Sequence, residues 1–432
     1  MKSNSWGKFF GITTFGESHG KAMGVVLEDI KPGLVFPHQQ LQSALARRKP
    51  GQNKFTSARQ ETDDYQILSG VFDGITTGMP ICIIFPNRDA RSQDYEDIKN
   101  LFRPGHADFS YFKKFKIFDY RGGGRASGRE TICRVAAAEI VDYLLQNIKI
   151  QMYAVQIGKM KAAKKCIPPS NTLWWPDNNI TAVENYLQQV QEKKNSVGGI
   201  VEAVIDNIPP GWGDPVFRKL DAALAEAILS LGAVKGIEFG DGFALAAQTG
   251  SQANDQMNEK GFLSNHCGGI LGGISTGEQI KFRFVVKPTP SIARRQQTIT
   301  KSGKSASISI SGRHDVCVVP RLIPAAIAMV KLVLADAASY QKLVENKTQN
   351  LTDLRESIDK IDEDILIALT RRNHISQAIG KLKKQKEMSV KDIQREEKLL
   401  QNLQIKAKEW QLNSAAVEKI WKIILAESRK QQ

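Results

Sequence analysis

Two histidines in glycine-rich loops are the residues of this chain best suited to moving protons. His19 stands in "TTFGESHGKAMG" (13–24), just after Ser18, and His106 follows a Pro-Gly turn in "RPGHADFSY" (103–111). Imidazole titrates near neutral pH, so such a pair can both give and take a proton. A third stretch, "GRHDVCVVPR" (312–321), sets Arg313, His314 and Asp315 side by side. Two cation-rich stretches accompany them, "ARRKPGQNKFTSARQETD" (46–63) and "RGGGRASGRE" (121–130). In the second, three glycines lead toward a helix that the pattern starts near Thr131. Bare N–H groups at a helix start bind anions, and arginine grips phosphate or carboxylate with two N–H groups. Proton transfer on an anionic substrate is the chemistry these residues suit. Each stretch taken singly also fits an ordinary turn, since glycine serves wherever a turn needs positive φ.

Several other chemistries fail on spacing. "ESHGKA" and "KSGKSA" both lack the glycine that a phosphate-binding P-loop places five positions before its Gly-Lys pair. "GGGR" does not match the dinucleotide fingerprint after a strand. Cys82, Cys133, Cys166, Cys267 and Cys317 are odd in number and widely spaced, with no Cys-x-x-Cys pair. They read as reduced thiols of a cytoplasmic enzyme, with no disulfide framework and no metal site. The net charge of +15 suits anionic metabolites or nucleic acid. The cations stand beside glycines, without an RNA-binding aromatic strand or zinc-finger spacing, so small anions are expected and nucleic acid is not.

The elements that must hold these loops divide in two. Up to about residue 340, strand-length apolar runs ("GVVLEDI", "MPICIIF", "GIVEAVI", "IKFRFVV") alternate with helical stretches such as "TICRVAAAEIVDYLLQ". From about 351 onward Gly380 is the single glycine and proline is absent, which reads as all-helical. The polar stretch "VENKTQNLTD" (344–353) is the expected linker, giving domains 1–345 and 346–432. "MKSNSWGKFFG" carries no apolar secretory run, and "AAIAMVKLVLA" (325–335) is too short to span a membrane.

Together the loops resemble a known family. "GESHG", "RRKPGQ", "RPGHAD", "RGGGRASGRET", "SNHCGGILGGISTG", "KPTPSI" and "GRHDVCVVPR" occur in the order found in chorismate synthases, across roughly residues 5–340. The resemblance implies an α+β fold, a β-α-β sandwich, assembling as a homotetramer. The implied reaction is 1,4-elimination of phosphate from 5-enolpyruvylshikimate 3-phosphate to give chorismate, with reduced FMN (FMNH2) required but no net redox change. It implies that His19 protonates the departing phosphate with Ser18 in support, that His106 protonates the reduced flavin, and that Asp315 relays a proton from it. Flavin contacts are implied for Arg125, Ala126, Ser127, Gly232, Ala233, Gly272, Lys287, Pro288, Thr289, Pro290, Ser291 and Arg313. Arg48, Lys54, Arg103 and Arg129 are implied to hold the substrate's phosphate and carboxylates. Lys54 stands where the family often has arginine, Ala126 where it commonly has serine, and Gly232 where it commonly has asparagine. Val316 replaces a frequent proline, which is expected to loosen the Asp315 loop. An external flavin reductase is expected to supply the reduced cofactor, with NADPH entering only through it.

The tail carries a second pattern. Leu354, Ile358, Ile361, Ile365 and Leu369 form an apolar stripe at helical spacing, and Arg372, Ile379 and Lys383 continue it. Arg372 and Lys383 lie about 16 Å apart along one helix. Cations on a core-facing stripe need anionic partners, either protein carboxylates or a dicarboxylate ligand. Two shorter helices follow. This three-helix segment is similar to the all-α chorismate mutases, from about 351 to 432, which form intertwined dimers. By that resemblance Arg372, Arg395 and Arg355 from a second copy hold two carboxylates. Lys383 and Gln432 face the ether oxygen, and Asp392 and Glu396 hold the ring hydroxyl with Ser428 in support. A bifunctional enzyme making chorismate and rearranging it to prephenate is thus expected. The alternative is a synthase whose helical tail only dimerises or regulates.

Overall fold

The computed structural model describes residues 3–56, 62–88, 98–117, 119–163, 171–310, 314–345, 351–385, 389, 392–410 and 412–430. The chain forms two compact units, Met1–Glu345 and Asn346–Gln432.

Two five-stranded antiparallel sheets frame the first unit. One contains β1 (Ser5–Trp6), β2 (Gly11–Gly16), β3 (Ala22–Glu28), β4 (Gln66–Ser69) and β5 (Ile81–Pro86), in the order β1-β2-β3-β5-β4. The other contains β6 (Lys149–Ile157), β7 (Met160–Lys161), β8 (Gly199–Asp206), β9 (Val234–Phe239) and β10 (Ile280–Val286), in the order β9-β10-β8-β6-β7. Period-2 alternation sets their inner faces: Met23, Val25 and Leu27 of β3, and Ile81, Ile83 and Phe85 of β5, are fully buried.

The longer described helices of this unit are α1 (His38–Arg48), α2 (Asp108–Phe115), α3 (Thr131–Val141), α4 (Ile180–Glu192), α5 (Leu220–Leu229) and α6 (Val319–Glu345). Helix α3 is buried nearly all round, from Ile132 to Val141 apart from Arg134. It packs against β2 and β3 on one side and α6 on the other, and α6 in turn packs on β6 and β8. The layers are therefore sheet, helices, sheet, an α+β sandwich with its main core in the helical layer. Ala136, Ala137 and Ala138 leave room for the close approach of α6.

Helix α6 is longer than its central apolar run suggests. It spans 27 residues, and among the described helices Val319–Val344 is long and apolar enough to cross a membrane. Within its most apolar window, 72% is buried inside the protein, as for a core helix. Lys331 crosses from it to α3, meeting Glu139 at 2.9 Å and Asp142 at 3.1 Å.

The second unit consists of α7 (Leu351–Gln385), α8 (Ile393–Glu409) and α9 (Ser414–Lys430). Asp392 caps α8 by accepting the Arg395 backbone N–H at 3.0 Å. Helix α9 packs on both α8 and α7. Of the α7 stripe, Ile358, Ile361, Ile365 and Ile379 are exposed. Residues 346–432 expressed alone should be helical and associate through this stripe, with a melting temperature that rises with protein concentration. Circular dichroism across a dilution series checks this; a concentration-independent melt would mean the stripe has no partner copy.

Candidate active site

The turn after β2 carries Ser18 and His19, and both are buried, at 4% and 6% exposure. Their neighbour is Gly122 of the triple-glycine loop. A Cβ on Gly122 would stand 2.6 Å from His19 Cδ2 and 3.0 Å from Ser18 Oγ, and Gly122 has φ +71°. Any side chain there would displace the histidine. The Gly122 carbonyl accepts from Arg103 Nη2 at 2.7 Å. Arg103 is clamped to Asp108 through Nε at 2.6 Å and Nη2 at 2.7 Å, and His106 Nδ1 lies 2.6 Å from the same carboxylate. Burial opposes ionisation of Asp108. The hydrogen bonds from Arg103 and His106 outweigh it and hold its carboxyl well below the usual range. His106, Asp108, Tyr111, Glu17, Gly122 and Arg125 line one recess, of about 290 Å³ with its open mouth included.

A second charge cluster adjoins the His19 turn. Asp63 is fully buried between Arg48 Nη2, at 2.6 Å, and Arg129 Nη1. Desolvation alone would raise its pKa, but attraction to Arg48 and Arg129 prevails and lowers it. Arg129 Nε donates to Asn87 Oδ1 at 3.1 Å. Asn87 Nδ2 in turn donates to the Glu17 and Gly20 carbonyls at 3.0 and 2.9 Å, fixing both ends of the His19 turn. Asp315 pairs with Arg321 at 2.7 Å. Its neighbour Val316 donates its N–H to the Phe55 carbonyl at 2.9 Å. A proline there could not make that bond, so valine pins the Asp315 loop where loosening was expected. Lys54, next to Phe55, is exposed, with its ammonium over the Phe55 ring.

The loops implied for flavin also meet. Arg125 donates to Thr14 Oγ1 at 2.5 Å and to the Gly16 carbonyl at 3.2 Å. A Cβ on Gly232 would stand 4.0 Å from the Ala126 carbonyl oxygen. Ser127 caps the short turn that follows, accepting the Arg129 N–H. Lys287 donates its N–H to the Ala233 carbonyl at 2.9 Å and its ammonium to the Gly105 carbonyl at 2.5 Å. Pro290 also reaches the Gly105 turn, where a Cβ would stand 3.3 Å from its own. Pro288 lies between, the Thr289 carbonyl accepts from Ser196 at 2.7 Å, and Ser291 is buried. Gly272 instead turns a separate hairpin, Ile270–Leu271 with Ile274–Ser275, hydrogen-bonded to Gly211 and Trp212. Arg313 lies outside the described residues. Small residues at 126 and 232 and cations at 125 and 287 beside the His106 recess fit an anionic, planar cofactor. The buried Ser18 Oγ, beside Gly122, has no hydrogen-bond partner among the described residues.

In the second unit Arg372 Nη1 donates to Ser428 Oγ, joining α7 to α9. Glu396 accepts Arg429 Nη1 on both oxygens, at 2.8 and 2.7 Å, so its carboxylate already has a cation. Asp392 serves as the α8 cap. Lys383 is half-buried, while Arg355 and Arg395 are exposed. Gln432 lies outside the described residues.

Sequence reading passed over Asp63, Asp108, Asn87 and Arg321 as site residues. Asp108 was readable in principle, two residues after His106 in the same motif. Asn87 carries no local signal, because its role depends on where β5 ends.

Asp63 and Asp108 have depressed folded-state pKa values, so the stability they contribute is present above the unfolded value near ~3.9 and lost as pH falls through the folded one. The first unit should therefore lose stability on acidification below about pH 4. Asp63→Asn should cost about 3–5 kcal/mol at neutral pH, because two buried arginines lose their counter-charge. It should also flatten the acid limb, as denaturant titrations over pH would show.

Comparison with known proteins completes the picture. The chorismate synthase profile matches residues 10–339, and the chorismate mutase type II profile matches residues 354–432. A chorismate synthase of Syntrophus aciditrophicus (strain SB) is 47% identical over 352 residues, covering 80% of this chain and 99% of the relative. One of Porphyromonas gingivalis (strain ATCC BAA-308 / W83) is 48% identical over 354 residues, covering 77% and 95%. A crystal structure of chorismate synthase superposes with a TM-score of 0.59 at 30% identity, covering 77% of this chain and 92% of that one. With its buried His19 and its arginine-rich loops in one sandwich, the chain belongs to the chorismate synthase family and carries a type II chorismate mutase domain after it.

Proposed function

We propose that residues 1–345 convert 5-enolpyruvylshikimate 3-phosphate to chorismate with reduced FMN, and that residues 346–432 rearrange the chorismate to prephenate. The observation that carries the first step is a cluster of buried arginines beside a buried histidine. Arg48 and Arg129 share one carboxylate, Asp63, and Asn87 ties Arg129 to the His19 turn. A substrate phosphate or carboxylate would find guanidinium donors held in place there.

The elimination breaks one C–H and one C–O bond, forms a double bond and releases phosphate. Reduced FMN, when bound, supplies the electron chemistry that side chains lack. His19, shielded from bulk water, delivers a proton to the departing phosphate, and Ser18 orients it. His106 keeps the flavin side of the site protonated. Asp315, held by Arg321, accepts the proton that leaves. Arg125, Ala126, Ser127, Gly232, Ala233 and the loop from Lys287 to Ser291 hold the cofactor with Arg313, while Gly272 lies on the separate hairpin and outside that set. Arg103 and Lys54 add to the substrate's anion contacts.

The second step is pericyclic and needs no nucleophile or metal, only a cationic cage that fixes the reactive conformer. Arg372, Arg395 and Arg355 from a second copy hold the carboxylates, and Lys383 and Gln432 stabilise the charge rising on the ether oxygen. Glu396, steadied by Arg429, and Asp392 receive the ring hydroxyl, with Ser428 anchoring Arg372. The bare α7 stripe supports a partner copy in this unit. A cytoplasmic homotetramer, fed with reduced flavin by an external reductase, completes the reading.

In an anaerobic assay of the full chain with chemically reduced FMN, His106→Ala should lower chorismate formation by ~10²-fold or more and leave chorismate consumption intact. Arg372→Ala should do the reverse, lowering prephenate formation by ~10²-fold. A wild-type chain that accumulates chorismate would make the helical unit a dimerisation or regulatory module only.

A further inference from the structure

We propose that Asp108 is a positioning residue of the first unit's site: its one carboxylate holds Arg103 and His106 together and decides which nitrogen of His106 exchanges the proton. The proposal rests on the role given to His106 above. Asp108 opens α2 and is 7% exposed. Its Oδ2 accepts Arg103 Nε at 2.6 Å and the Arg103 backbone N–H at 3.2 Å. Its Oδ1 accepts Arg103 Nη2 at 2.7 Å and meets His106 Nδ1 at 2.6 Å. Four nitrogens on one buried carboxylate leave it little reason to be protonated, and its depressed pKa agrees. An ionised carboxylate can only accept, so the hydrogen at this contact belongs to Nδ1. Nε2 is then the nitrogen free to exchange a proton in the recess.

The same carboxylate reaches the other histidine. Arg103 Nη2 bridges Asp108 to the Gly122 carbonyl at 2.7 Å, and Gly122 is the residue against which His19 packs. The other ionisable groups around the recess are engaged elsewhere. Asp119 pairs with Arg121 at 2.7 Å, Arg125 bonds Thr14 and Gly16, and Lys287 bonds the Gly105 carbonyl. Glu17 and Tyr111 line the recess without a described side-chain bond to His106. Asp108 is thus the described carboxylate that faces Nδ1.

The test uses the full chain and two independent readouts. Asp108→Asn should lower synthase kcat by ~10²-fold, and Asp108→Glu should recover part of it. On a His106→Ala background, Asp108→Asn should cost under ~3-fold more, because both act through one group. Long-range ¹H–¹⁵N spectra of the native protein should show neutral His106 carrying its hydrogen on Nδ1, with an Nε2–H population appearing in Asp108→Ala. Native kcat in Asp108→Asn, multiplying losses in the double variant, or an Nε2–H tautomer in the native protein would each overturn the proposal. The native spectrum needs no turnover and no variant that folds. Full activity in His106→Ala would therefore reject the reaction role of His106, while the tautomer would still judge Asp108.

Discussion

The first unit's site depends on a place where no side chain can stand. Gly122 packs against His19 and Ser18 through its bare α-carbon, and its carbonyl takes a hydrogen bond from Arg103. One backbone residue thereby couples the two histidine loops. The positive φ of Gly122 and the close approach of His19 both exclude larger residues, so the glycine run is a steric requirement as much as an anion-binding device.

Charge balance follows from that geometry. Arg48, Arg103 and Arg129 are at most 6% exposed, which no arginine tolerates without counter-charges. Asp63 and Asp108 supply them from within the same loops. The carboxylates also fix the arginines, so their remaining donors are held in place.

The two units solve burial differently. The sandwich encloses α3 and α6 between its sheets and finishes its core within one chain. Helices α8 and α9 leave Ile358, Ile361, Ile365 and Ile379 of the 35-residue α7 exposed.

What the sequence by itself determined is mostly local. The 3.6-residue period put Arg372 and Lys383 on the same continuous helix as the apolar stripe, and apolar runs of strand length marked β3 and β5. The ordered motifs pointed to the family because each records a loop that must meet a fixed chemistry. Only the tertiary structure decided which charges pair. Asp63 meets Arg129 across 66 residues, Asn87 reaches the His19 turn from the end of β5, and Val316 bonds Phe55 from a distant loop. Helix and strand periods are properties of neighbouring residues, whereas these contacts exist because two sheets and two buried helices bring remote loops to one edge.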